Sequence, residues 1–184
     1  MKEKFEKFSQ LVESGQVEIY NEFSLQHELG LYLRSAIQDA KVKVQFERNV
    51  SFFFDSINSF RKKEIDISIF LTDKSRKLCA IELKYPRNGQ YPEQMFSFCR
   101  DIHFLEQLKV AGFEKAYFIV FADEKPFYEG KADGIYGYFR SGRTLSGTIQ
   151  KPTGSRDDFI EIGGSYSVCW STVRGDLKFA IVEV

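Results

Sequence analysis

Two alternating runs, residues 63–71 and 77–84, stand either side of a polar connection at residues 72–76. Such a pattern predicts a β-hairpin. In the first run Ile65, Ile67, Ile69 and Leu71 are expected on one face, with Glu64, Asp66 and Ser68 on the other. In the second, Cys79, Ile81, Leu83 and Tyr85 share a face and leave Ala80, Glu82 and Lys84 together. A turn centred on Lys74 sets Leu71 opposite Lys77 and Asp66 opposite Glu82. Directly opposed side chains lie roughly 4.5–5.5 Å apart at Cβ, and like charges at that spacing repel. Two carboxylates held face to face, with an ammonium two residues on, make physical sense when a divalent cation sits between them.

The elements around the hairpin follow from periodicity. A short helix is expected over about residues 2–14, and a longer one from Leu25 to about Ala40 with Ser24 as its N-cap. Leu25, Leu29, Tyr32, Leu33, Ala36, Ile37 and Ala40 form its buried stripe, and Glu28 falls within or beside that stripe. A carboxylate facing a core needs a charged or donating partner, unless its tip reaches water from the stripe's edge. A β-rich run covers 42–54. After the hairpin, Pro92 opens a helix over about 93–111, stopped by Gly112, with Met95, Phe98, Cys99, Ile102, Leu105 and Leu108 as its stripe. The run Ala116-Tyr117-Phe118-Ile119-Val120-Phe121 is almost wholly apolar, as in a strand covered on both faces. A helix crossing to such a strand implies a mixed sheet with a parallel pair. From Pro126 onward, pieces at 135–140, 145–150, 159–162, 166–173 and 177–184 read as antiparallel strands in a β-rich extension. No linker divides the chain, so one domain over 1–184 is expected.

Composition excludes several classes. Lys plus Arg equals Asp plus Glu at 26 each, so no overall positive field attracts nucleic acid, and any such binding must use local patches or metal ions. Arg61-Lys62-Lys63, residues 74–77, and the Arg140/Arg143 pair are local basic groups, each equally readable as a solvated strand end or turn. Cys79, Cys99 and Cys169 have no metal-like spacing and read as reduced, buried thiols of a cytoplasmic protein. No run approaches the roughly 20 apolar residues that cross a bilayer. His27 and His103 stand far apart, which disfavours zinc chemistry, and no Gly-rich phosphate loop follows a strand.

Glu82-Leu83-Lys84 is one of two Glu-x-Lys triplets, the other being Glu129-Gly130-Lys131 in an expected loop. Its context sets it apart: the end of an apolar strand, before a Pro/Gly break, beside a strand carrying Asp66. The competing reading makes Asp66, Glu82 and Lys84 the wet face of a hairpin, where an ion pair is worth little. The order of elements weighs against that. Helix with Glu28, strand, strand with Asp66, strand with Glu82 and Lys84, helix, strand resembles the restriction-endonuclease-like nucleases, the PD-(D/E)xK superfamily, over about 24–122. Ile65 stands where the motif's name has proline.

That resemblance implies an α/β fold with an αβββαβ core, its mixed sheet flanked by helices. It implies Asp66 and Glu82, with the backbone carbonyl of Leu83, as Mg²⁺ ligands, with Mn²⁺ as a substitute. Lys84 would serve the attacking water, and Glu28 would assist. Gln94 and Asp101 are the candidates for an accessory polar residue on the following helix. The implied activity is Mg²⁺-dependent phosphodiester hydrolysis, as an endodeoxyribonuclease acting on DNA, with a homodimer expected for cutting both strands. The alternative is a non-catalytic nucleic-acid-binding or protein-interaction module on the same fold.

Overall fold

The computed structural model describes residues 1–55, 60–154 and 158–184. Two helices, α1 (Lys2–Glu13) and α2 (Glu22–Ala36), precede strands β1 (Val42–Asn49), β2 (Glu64–Leu71) and β3 (Lys77–Lys84). Then come helix α3 (Tyr91–Val110) and strand β4 (Ala116–Ala122). The remainder holds a short helix, α4 (Tyr136–Arg140), and strands β5 (Leu145–Gln150), β6 (Phe159–Tyr166), β7 (Ser171–Arg174) and β8 (Leu177–Glu183). The main sheet has strand order β1-β2-β3-β4-β8-β7. Strands β3 and β4 run parallel and the other neighbours antiparallel. This is an α/β protein with a mixed six-stranded sheet, and β5 and β6 pair separately.

Helices cover both faces of the sheet, which is why β4 is buried along its whole length. On one side Met95, Phe98, Cys99, Ile102, Leu105 and Leu108 of α3 pack on Ala80, Phe118, Val120 and Val182. On the other, Phe5 and Phe8 of α1 and Leu25, Leu29 and Leu33 of α2 meet Ile67, Ile81, Leu83, Tyr117, Ile119 and Phe121. Gly30 lets α2 lie close to β1, since a Cβ there would fall 1.9 Å from the Phe46 ring.

The hairpin register is the expected one in its middle, where Ile67 faces Ile81 and Ile69 faces Cys79. A bulge between Ile69 and Phe70 then sets Phe70, and not Leu71, opposite Lys77. Lys74 turns the chain with φ +59°. Cys79, Ile81, Leu83 and Tyr85 do share one face. Ile65, however, joins the α3-side core while Ile67 and Ile69 join the other. The alternation slips at the intervening residue, Asp66.

Other boundaries differ for identifiable reasons. Asn21, not Ser24, caps α2: Ser24 is the third helical residue, donating its N–H to Asn21 Oδ1 (2.7 Å) and accepting the Asn21 N–H at Oγ (3.0 Å). This reciprocal box starts the helix at Glu22, and it ends at Ala36, short of Ala40. The segment 135–140 is helical where a strand was expected; Ile135 and Phe139, four residues apart, bury on the same side. Strand β8 inserts beside β4 as part of the main sheet, while β6 packs on α3. Cys79 and Cys99 are buried, but Cys169 is exposed, contrary to the reading of three buried thiols.

Candidate active site

Asp66 sits where the sheet comes apart. In β1, Phe46 pairs with Ile67 and Arg48 with Ile65, and the residue between, Glu47, takes a left-handed φ of +48°. Gln26 of α2 bridges this break, donating its amide to Glu47 Oε1 and to the Asp66 carbonyl (2.9 Å). On the other side, the β2–β3 pairing stops at Ile67–Ile81 and side chains take over. The Leu83 N–H donates to Asp66 Oδ2 at 2.7 Å, and the Asp66 N–H lies 3.4 Å from Glu82 Oε1. The carboxylates therefore occupy positions that ladder partners would fill, which fixes both of them to within a hydrogen bond of the backbone.

A chain of alternating charge runs through the parted strands. Lys62, just before β2, donates to Glu82 Oε2 and to Asp101 Oδ1 of α3 (3.0 Å). Asp101 Oδ2 lies 3.4 Å from Lys84 Nζ without hydrogen-bond geometry, and among the described residues this buried oxygen has no hydrogen-bond partner. Lys84 Nζ in turn donates to Glu22 Oε1 at 3.1 Å, and the Tyr85 N–H approaches Glu22 Oε2 at 3.4 Å. Glu82 is fully buried, whereas the Lys62 side chain keeps 31% of its surface exposed.

Four carboxylates (Glu22, Asp66, Glu82, Asp101) thus share two ammonium groups (Lys62, Lys84), a surplus of two acids, of which Glu82 and Asp101 are buried and Glu22 is half-exposed. Burial, opposed by Lys62 and Lys84, pushes the Asp66 carboxyl up to about 6. Burial and the neighbouring Asp66 and Asp101 carboxylates hold Glu82 well above its ordinary value. Burial works against charge on Lys62 and Lys84, but the carboxylates around each outweigh it and raise both above the usual lysine range. Both lysines are therefore ammonium ions, and Asp66 and Glu82 relieve the excess by holding protons more tightly.

A cavity of about 200 Å³ opens beside Asp66, lined by Glu22, Phe23, Gln26, Glu47 and Leu83. The donor set suits a hard divalent cation in kind: carboxylate oxygens in surplus, the nearby buried Asp101 Oδ2 without a hydrogen bond among the described residues, and no soft ligand among those lining the cavity. In the present arrangement Glu82 is engaged by Lys62, and among the described residues no three His, Cys, Asp or Glu side chains converge closely enough to chelate a metal.

Of the residues singled out from sequence, Asp66, Glu82, Lys84 and Asp101 come together, and Leu83 joins them through its N–H. Glu28 does not. It lies 3.5 Å from His27 Nδ1 and is partly exposed. Glu22, six residues earlier and so roughly 240° round the helix, takes the place expected for it. Gln94 also stands apart, donating to the carbonyls of Arg87 (2.6 Å) and Gly89 (2.9 Å) and bracing the loop after β3. Lys62, Glu22, Glu47 and Gln26 were not foreseen. Asn21 as the cap would have brought Glu22 into view, while nothing local distinguishes Lys62 from the basic residues beside it.

Compared with family models, with curated proteins and with solved structures, the chain has no significant match in any of the three. Among the described residues no helix is long and apolar enough to cross a membrane.

Proposed function

We propose that the protein is a Mg²⁺-dependent nuclease hydrolysing phosphodiester bonds, an endodeoxyribonuclease built on a restriction-endonuclease-like core of α2, β1, β2, β3, α3 and β4. The observation that carries this reading is the meeting of Asp66, Glu82 and Lys84 at the parted ends of β2 and β3, with carboxylates in excess. The element order around them supports it.

Asp66 and Glu82, with the Leu83 carbonyl, would hold the Mg²⁺, or Mn²⁺ in its place, after Lys62 releases Glu82. The bound ion supplies charge neutralisation at the phosphate and a more acidic water. Lys84, kept protonated by Asp101 and Glu22, acts as a fixed positive charge that orients water and offsets charge building on the phosphate. Glu22 positions Lys84 by accepting from its ammonium. A homodimer would bring a second such site.

The rival reading, a non-catalytic nucleic-acid-binding or interaction module, draws on one observation: Lys62 already neutralises Glu82 and Asp101 from within the chain. Nicking of supercoiled plasmid with Mg²⁺ or Mn²⁺ separates the two. The nuclease cuts, and Asp66→Ala and Lys84→Ala lower the rate on the order of 100- to 1000-fold with unchanged far-UV circular dichroism. Absence of metal-dependent cutting by the wild-type protein leaves the binding module.

A further inference from the structure

Phe23 is the residue after Glu22, lines the same small cavity as Asp66, and yet is 73% exposed. Single exposed apolar residues are ordinary, but this one is not alone. The His27 ring lies nearly parallel to Phe23, 10° between planes and 6.4 Å between centroids. Tyr20, also at the start of α2, is exposed as well.

The backbone beneath these rings is held firmly. The Tyr20 N–H donates to Ser24 Oγ (2.8 Å), and its carbonyl accepts from Arg87 Nη2 (3.0 Å). Arg87 is itself fixed by Asp123 (2.8 Å) and lies over the Tyr85 ring. Aromatic faces presented to solvent from a braced helix start, at the mouth of a carboxylate site, are the equipment for stacking a planar ligand.

We propose that Phe23, backed by His27, is a stacking platform for an unpaired nucleobase, and that the substrate is single-stranded or locally unpaired nucleic acid. This rests on the nuclease reading and assigns its substrate class. Three features point the same way. A cavity of about 200 Å³ is smaller than typical ligand sites of about 300–1,000 Å³, and its carboxylate lining would admit a phosphate only through a bound divalent cation, which leaves the attached base outside, beside Phe23. A base inside a duplex is already stacked on its neighbours and cannot also cover a protein ring unless it leaves the helix. The equal counts of acidic and basic residues provide little general pull on a polyanionic backbone, whereas stacking gives affinity that does not depend on net charge.

The test measures binding apart from cutting, by fluorescence anisotropy of a labelled dodecamer, single-stranded or duplex, with Ca²⁺ in place of Mg²⁺ and again in EDTA. The wild-type protein is expected to favour the single strand. Phe23→Ala weakens that binding about tenfold and leaves the duplex unchanged, while Phe23→Trp restores it. Equal single-strand affinity for wild type and Phe23→Ala, in a protein that still nicks plasmid, overturns the platform and spares the nuclease. Concentration-dependent self-association abolished by Phe23→Ala, with oligonucleotide binding unaltered, overturns it in favour of a second copy of the chain. A wild-type protein that neither binds nor cuts nucleic acid overturns both readings.

Discussion

Two of the molecule's concavities are of opposite character. The larger, about 840 Å³, lies between the C-terminal half of α3 and β6 and is lined mainly by apolar groups such as Phe60, Val110 and Ile162. One of its two carboxylates, Glu106, is fully employed: it accepts from the N–H groups of Gly163 (3.1 Å) and Gly164 (2.6 Å) and from the Tyr166 hydroxyl (2.9 Å). The smaller, about 200 Å³, borders acids that outnumber the bases nearby and a strand pair whose backbone ladder has given way to side chains. Size alone would point to the larger, whereas the surplus of carboxylates lies beside the smaller. A carboxylate that ties a strand to a helix stabilises the fold; carboxylates left in surplus and short of water store free energy that a ligand can release.

Four substitutions would sharpen or break that contrast. Lys62→Met should have the largest effect, because it strips Glu82 and Asp101 of their shared cation. Loss of one partner from a buried pair costs about 3–5 kcal/mol, and partial exposure of Lys62 places this case at the lower end. Urea denaturation without metal at pH 8 reads the loss, and added Mn²⁺ should recover part of it. An unchanged midpoint would mean that the Lys62 contacts are incidental.

Asp66→Asn acts in the opposite direction. A carboxyl that titrates at about 6 in the fold and at 3.8 in the open chain favours folding fully below pH 3.8, and that contribution disappears as pH rises through 6. Removing the charge should therefore stabilise the metal-free protein by about 2–3 kcal/mol at pH 7.5, with the gap to wild type closing below about pH 4. A constant gap across that range would refute the assignment of strain to this carboxylate.

Glu106→Ala should cost about 2 kcal/mol in thermal or urea unfolding through its three lost hydrogen bonds, with any plasmid nicking intact. A selective loss of cutting would move the chemistry to the larger cleft. Smallest of all is Glu28→Gln, expected within about 0.5 kcal/mol of wild type and without effect on cleavage, since its neighbour is the half-exposed His27.

Much of this was legible locally. Period-2 alternation marked β2 and β3, the apolar stripe marked α3, and the unbroken run at 116–121 required cover on both faces. Glu82 and Lys84 two residues apart had to project from the same side of one strand. The errors share a physical origin. Reading Glu28 as the helical acid assumed a helix start at Leu25; the capping box at Asn21 places Glu22 toward Lys84 instead. Ile65 was assigned to the wrong face because a strict alternation cannot anticipate the break at Glu47 and Asp66, which Gln26 of another element holds open.

The amino-acid order on its own determined strands β2, β3 and β4 and helix α3, the nearness of Asp66 to Glu82 across a hairpin, and the placement of Lys84 beside them, because each depends on the periodicity of a short stretch of backbone. Only the tertiary structure decided that Lys62, Asp101 and Glu22 complete the cluster. They lie 20, 19 and 60 residues from Glu82 in sequence, and their meeting depends on the phase of two helices against a sheet that parts at one residue. No local pattern encodes that phase; it is set by how the apolar faces of α2 and α3 settle onto β2, β3 and β4.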